Sequence, residues 1–145
     1  MSGFGNLVYE SYAGSKSELT TILTYVYQFL TKWKFEDIVM FLKMIAMQEM
    51  KHLELLGEIL VKLGLEPYYM NSYGNRWCSD NVKVQFENLA EMFDYNIQGE
   101  KDAIREYQNL INKCQNDSIK AVLARIIDDE KNHIEIFKML KGKYC

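Results

Sequence analysis

The chain has two histidines, and each follows a glutamate by three residues: Glu49-Met50-Lys51-His52 and Glu130-Lys131-Asn132-His133. On a helix, residues i and i+3 share a face, so carboxylate and imidazole stack one turn apart and can serve one metal ion. A single pair of this kind is a common accident of helix surfaces. Two pairs that use every histidine in the chain are not.

Further glutamates extend the pattern. Glu18 precedes Tyr25 by seven residues, and Glu100 precedes Tyr107 by the same seven. The step from Glu18 to Glu49 is 31 residues, and that from Glu100 to Glu130 is 30. Beyond the histidines, Leu53-Glu54-Leu55-Leu56 parallels Ile134-Glu135-Ile136-Phe137. The two halves therefore read as related helical hairpins, each with one Glu helix and one Glu-x-x-His helix.

Apolar neighbours flank all six residues: Ala46, Leu53 and Leu56 on one face, Ile126, Ile127 and Phe137 on another, with Ile22 beside Glu18 and Ile97 and Ile104 beside Glu100. An inward orientation is expected. Each buried, unpaired ion costs several kcal/mol, and like charges repel further. Two divalent cations would balance four carboxylates and two neutral imidazoles, and oxygen with imidazole nitrogen suits Fe, Mn or Zn. The expected site is dinuclear. Tyr25 and Tyr107 have two readings, as core residues or as donors to metal-bound carboxylates.

Four long elements must position these groups. Apolar residues recur at helical spacing over about Leu7 to Thr31, Phe35 to Leu63, Val82 to Cys114 and Ser118 to Lys141. Gly14 breaks the first segment, with Ser15 or Ser17 as candidate caps, and Gly64 followed by Pro67 ends the second. Between Gly64 and about Asn81 the periodicity fails, and Tyr68, Tyr69, Tyr73 and Trp77 mark an aromatic connection suited to packing or a subunit contact. That connection is long enough to run the length of a bundle. The expected fold is all-α, a four-helix bundle with one long crossover between helices 2 and 3, formed by a single domain over 1–145.

Composition narrows the function. A net charge of -3 with mixed-sign patterning gives no electrostatic case for nucleic acid or an anionic membrane. No stretch approaches the roughly 20 apolar residues of a membrane span, and Met1-Ser2-Gly3-Phe4-Gly5 lacks the features of a secretory signal. Cys78, Cys114 and Cys145 form no Cys-x-x-Cys, which argues against a disulfide framework and for a reducing cytoplasm.

The motif set resembles the ferritin-like superfamily, whose dinuclear site takes one Glu from each of two helices and a Glu-x-x-His from each of the others. Gly99-Glu100, Tyr107 and Asp129-Glu130-Lys131-Asn132-His133 are most similar to the rubrerythrin branch. The resemblance implies that Glu18 and Glu100 are single-carboxylate ligands, Glu49 and Glu130 bridge, and His52 and His133 complete a site holding two metal ions, Fe first, with Mn or Zn as alternatives. It implies an oxidoreductase that reacts with hydrogen peroxide or dioxygen, forms a homodimer or small homo-oligomer, and draws on an external electron donor. Two departures stand out: the Cys-x-x-Cys domain usual in rubrerythrins is absent, and Ala103 replaces a further glutamate common in that branch. Manganese catalases share the six-ligand set and would disproportionate peroxide with no donor. Ferritin-like iron oxidation or storage, or a non-catalytic metal-binding bundle, are the other readings.

Overall fold

A computed structural model describes residues 3–145 of the chain; Met1 and Ser2, part of the amino-terminal stretch read above, lie outside the described residues. Five α-helices follow one another: α1 (Gly3–Ala13), α2 (Glu18–Thr31), α3 (Glu36–Lys62), α4 (Leu89–Lys113) and α5 (Asp117–Tyr144). No strand forms among the described residues, apart from an isolated antiparallel bridge between Met70 and Arg76.

The first apolar segment is thus two helices, beginning earlier than its periodicity predicts. α1 stops at Gly14, where a Cβ would come within 2.5 Å of the Glu10 carbonyl oxygen. Ser17 then restarts the helix, its side chain accepting from the Thr20 amide at 3.3 Å. Both pieces line α3: Gly57 lies against Tyr12 of α1, and His52 against Glu18 of α2. The break places Glu18 in the first turn of α2, where the helix dipole favours a carboxylate.

The third segment also differs from its predicted span. Val82, Val84 and Phe86 recur at a period of two and form no helix. α4 starts only where Asn88 caps it, accepting from the Glu91 amide at 2.8 Å, while the Glu91 carboxylate accepts from the Glu87 amide at 2.7 Å. The crossover therefore runs from Leu63 to Asn88, longer than the aperiodic stretch alone. It begins as read, with Gly64 at φ +76° and the Leu65 amide closing back on the Leu60 carbonyl at 2.9 Å.

Cross-helix pairings give the directions. Gln28 meets Asn96 and Tyr25 meets Glu100, so α2 and α4 are antiparallel. His52 meets Asp129 and His133 meets Gln48, so α3 and α5 are antiparallel as well. With α2 also antiparallel to α3, helices α3 and α4 run the same way, and the crossover must return the length of the bundle. The expected architecture is borne out. The aromatic connection packs along α1 and α2: Tyr69 stacks on Tyr12, Ser72 donates to Glu10, and the Trp77 indole donates to Thr20 Oγ1 at 2.8 Å.

Two apolar clusters fill the interior. One gathers Val8, Tyr9, Leu56, Leu60, Leu110 and Leu123; the other gathers Ile38, Leu42, Phe93, Phe137 and Leu140. Along α3 and α5 the Glu-x-x-His turns fall between them. Each fully buried Leu or Phe contributes roughly 1.5–3 kcal/mol, and packing on both sides offsets the cost of the polar layer between.

Candidate metal centre

Glu18 from α2, Glu49 and His52 from α3, Glu100 from α4, and Glu130 and His133 from α5 converge in that layer, none more than 3% exposed. The structure brings together all six residues singled out in the sequence. Their donor atoms form two four-residue groups, Glu18–Glu49–His52–Glu130 and Glu49–Glu100–Glu130–His133, each within 4.8 Å. Glu49 and Glu130 belong to both. His52 Nδ1 lies 3.2 Å from Oε1 of Glu49, 3.2 Å from Oε1 of Glu130 and 3.7 Å from Glu18. His133 Nδ1 lies 3.2 Å from Glu49, 3.3 Å from Glu130 and 3.5 Å from Glu100.

These spacings are those of ligands around an ion. Donors about 2.1 Å from one centre sit about 3.0–3.4 Å apart at octahedral or tetrahedral angles. Hydrogen bonding does not account for them: Glu18 Oε2, Glu49 Oε1, His52 Nδ1, Glu100 Oε2, Glu130 Oε1 and His133 Nδ1 are buried and make no hydrogen bond. Buried polar atoms are nearly always partnered, so six orphans pointing at one another need a shared partner. Among the described residues no Lys or Arg forms an ion pair with these carboxylates. The buried carboxylate and histidine cluster fits a dinuclear metal site.

Four other polar atoms of the cluster are held from outside it. Tyr25 donates to Glu100 Oε1 at 2.7 Å, and Tyr107 donates to Glu18 Oε1, each tyrosine reaching the glutamate of the other half. Burial and those carboxylates push both phenols well above their ordinary value, so they stay protonated donors. His52 Nε2 pairs with Asp129 Oδ2 at 2.8 Å and His133 Nε2 with Gln48 Oε1. With Nε2–H donating outward, each Nδ1 faces the cluster, where it would offer its lone pair to a bound ion in place of a proton. Gln48 was not singled out in the sequence, and Asp129 appeared only as part of the rubrerythrin-like motif with no role assigned, although each stands immediately before a Glu-x-x-His pair. A buried amide pair, Gln28 with Asn96 at 2.7 and 2.8 Å, ties α2 to α4 nearby.

Electrostatics point the same way. Burial first, then Glu100, Glu49 and Glu18, raises the Glu130 carboxyl well above its ordinary value. Burial and Glu49 do the same to Glu18. Burial alone would push His133 down, but Glu100 and Glu49 outweigh it and carry the imidazole up to about 10. Burial would raise Glu49 as well, but His133, His52 and Glu130 outweigh it and hold that carboxyl well below its ordinary value. Protons on its neighbours thus balance a charge that cations would otherwise stabilise.

A cavity of about 250 Å³ opens between α2 and α4, lined by Thr20, Thr24, Tyr25, Ala103, Glu106 and Tyr107 and reaching Glu18, Glu100 and Glu130. At about 30 Å³ per water it holds several small molecules, and it lies below the roughly 300–1,000 Å³ typical of organic-ligand sites. Ala103 leaves it open where a glutamate would intrude.

The rubrerythrin family model matches residues 15–141, which contain the whole cluster. The chain belongs to the rubrerythrin family. No curated protein matches this rubrerythrin-family chain by sequence. Solved structures share its fold: a manganese catalase, KatB, from Anabaena, at 24% identity over 96% of this chain and 71% of that one (TM-score 0.84). A bacterioferritin from Desulfovibrio desulfuricans matches at 20% identity over 96% and 78% (TM-score 0.77). A ferritin-like diiron-carboxylate protein from Bacillus anthracis matches at 23% identity over 97% and 99% (TM-score 0.77). At these identities the likeness shows the bundle. No helix among the described residues is long and apolar enough to cross a membrane.

Proposed function

We propose that this chain holds two metal ions, iron first and manganese next, and reduces hydrogen peroxide or dioxygen at them. Glu18 and His52 would serve one ion, Glu100 and His133 the other, and Glu49 and Glu130 both. The observation that carries this reading is the set of six buried, unpartnered donor atoms arranged as two groups sharing two carboxylates. The two ions would supply the electron-transfer chemistry that these side chains lack. The chain's own residues do the rest. Tyr25 and Tyr107 fix the orientation of Glu100 and Glu18, Asp129 and Gln48 fix the imidazoles, and the apolar clusters exclude bulk water. The cavity beside Thr24 and Ala103 admits a small uncharged oxidant.

In the peroxidase reaction, hydrogen peroxide takes two electrons and two protons to give two waters, and the electrons come from an external donor. Cys78, Cys114 and Cys145 are unpaired with one another, which fits a reducing, cytoplasmic setting. A second reading has an observation of its own: with Ala103 in place of a glutamate and no cysteine pair, disproportionation of two peroxides to two waters and dioxygen needs no donor at all. The fold likeness to a manganese catalase favours that alternative for a manganese-loaded protein, and a homodimer or small oligomer is expected in either case. Peroxide consumption is measured for iron- and manganese-loaded protein with and without a reductant. Reductant-dependent turnover of the iron form supports the first reading, and dioxygen release by the manganese form the second. No turnover by either form overturns both.

A further inference from the structure

The two halves of the cluster match in their ligands and in their tyrosines, but not in what holds the imidazoles. The residue before Glu49 is Gln48, and the residue before Glu130 is Asp129. Each reaches across the bundle to the other half's histidine: Asp129 Oδ2 to His52 Nε2 at 2.8 Å, and Gln48 Oε1 to His133 Nε2. One imidazole therefore donates to a carboxylate and the other to a neutral amide. Resting on the metal-centre reading above, we propose that this difference makes the two metal positions unequal. The ion on the Glu18 and His52 side is bound more tightly than the ion on the Glu100 and His133 side, with Asp129 and Gln48 as the positioning residues that set the gap.

Two physical effects act in the same direction. A hydrogen bond to a carboxylate is roughly twice as strong as one to a neutral acceptor, and it draws the Nε2 proton outward, making Nδ1 a better donor to a metal. Asp129 also adds a negative charge that only the His52 side has, beyond the shared Glu49 and Glu130. Little else distinguishes the sides. Tyr107 serves Glu18 as Tyr25 serves Glu100. Arg125 approaches Asp129 at 3.8 Å, but at the other carboxylate oxygen, and its side chain is 77% exposed, so Oδ2 remains with His52. Changes at such outer residues typically alter metal affinity about 10–100-fold, which sets the size of the expected gap.

The test is a titration of the metal-free full-length chain with Co²⁺ at one fixed pH, followed by calorimetry and by the cobalt visible absorption bands. Repulsion between the two ions separates the binding steps in every variant alike, so the change in separation is the readout. The parent should bind two ions in two steps. Asp129→Asn should weaken the tighter step about 10–100-fold, and Gln48→Asp should tighten the weaker one; either change draws the steps together. Gln48→Glu, which keeps the side-chain length, gives a second reading if the shorter aspartate falls short of the ring. In the double exchange, Gln48→Asp with Asp129→Gln, the order should invert. Adding Glu18→Ala should then remove the weaker step, whereas in the parent background it removes the tighter one. Two ions bound with step separations unchanged by every one of these variants would overturn this inference and leave the metal centre standing. No cobalt uptake by the parent would overturn both.

Discussion

Replacing Glu49 by alanine should empty both metal positions, whereas replacing Glu18 should empty one. Glu49 contributes to both four-residue groups, so its loss leaves each with three donors and leaves three carboxylates to balance two divalent cations. Glu18 contributes to one group, and its loss leaves Glu49, Glu100, Glu130 and His133 intact. Outer residues alone are worth about 10–100-fold in metal affinity. A direct carboxylate ligand must exceed the upper figure, equivalent to about 2.7 kcal/mol per ion. For Glu49→Ala that loss falls on both ions at once. After dialysis against a chelator, elemental analysis should find two metal ions per chain in the parent, one in Glu18→Ala or Glu100→Ala, and almost none in Glu49→Ala or Glu130→Ala. Glu54→Ala, an exposed glutamate on the same helix, should keep two. Glu49→Ala retaining two ions, or Glu18→Ala losing both while Glu49→Ala keeps one, would refute the shared-ligand argument.

Removing the hydroxyl in Tyr107→Phe should weaken the ion on the Glu18 side about 10–100-fold while the ring preserves the packing; unchanged affinity in a metal titration would make the hydroxyl a bystander. Gln28→Ala should cost about 1–3 kcal/mol in urea unfolding by stranding the buried Asn96 amide, and Gln28→Leu with Asn96→Leu should recover most of it. A single variant as stable as the parent would contradict that. Glu106, at the cavity wall, is raised from 4.5 to about 7 by burial, Glu10 and Asp102, against a smaller opposing pull from Lys16. The folded chain thus keeps a proton that the unfolded chain has lost between those values. Stability should fall as pH rises through that window, by up to about 3 kcal/mol less solvent screening. Glu106→Gln should remove this part of the slope, and an unchanged slope in pH-dependent unfolding would count against the burial argument.

The site residues were legible because a metal centre inside a bundle imposes two local rules. Its ligands must interrupt an apolar face, and partners on one helix must be three or four residues apart to share that face; Glu49 with His52 and Glu130 with His133 satisfy both. The bundle and its crossover followed from long periodic segments and the Gly64–Pro67 stop. Element ends were harder. The Gly14 break was visible, but not that a full helix precedes it from Gly3 or that Ser17 rather than Ser15 caps the next. The close approach of the Glu10 carbonyl shows why that position must be glycine. Phe86 fits a helical pattern with Leu89 and Phe93, but the Asn88 and Glu91 cap overrides it. Gln48 and the role of Asp129 escaped notice because each acts through a contact across the bundle, between residues far apart in the chain. Their matching position, one residue before each shared glutamate, was the available signal. The Gln28 and Asn96 pair left a similar trace, two amides on faces otherwise apolar.

The central claim is that two ions share Glu49 and Glu130. Anomalous diffraction from crystals of the metal-loaded protein tests it directly. The account predicts two peaks in the buried layer, about 3.5–4 Å apart as in other two-metal sites, one beside His52 and the other beside His133. A single peak, or peaks only at surface carboxylates with Glu49 and Glu130 uncoordinated, would contradict it.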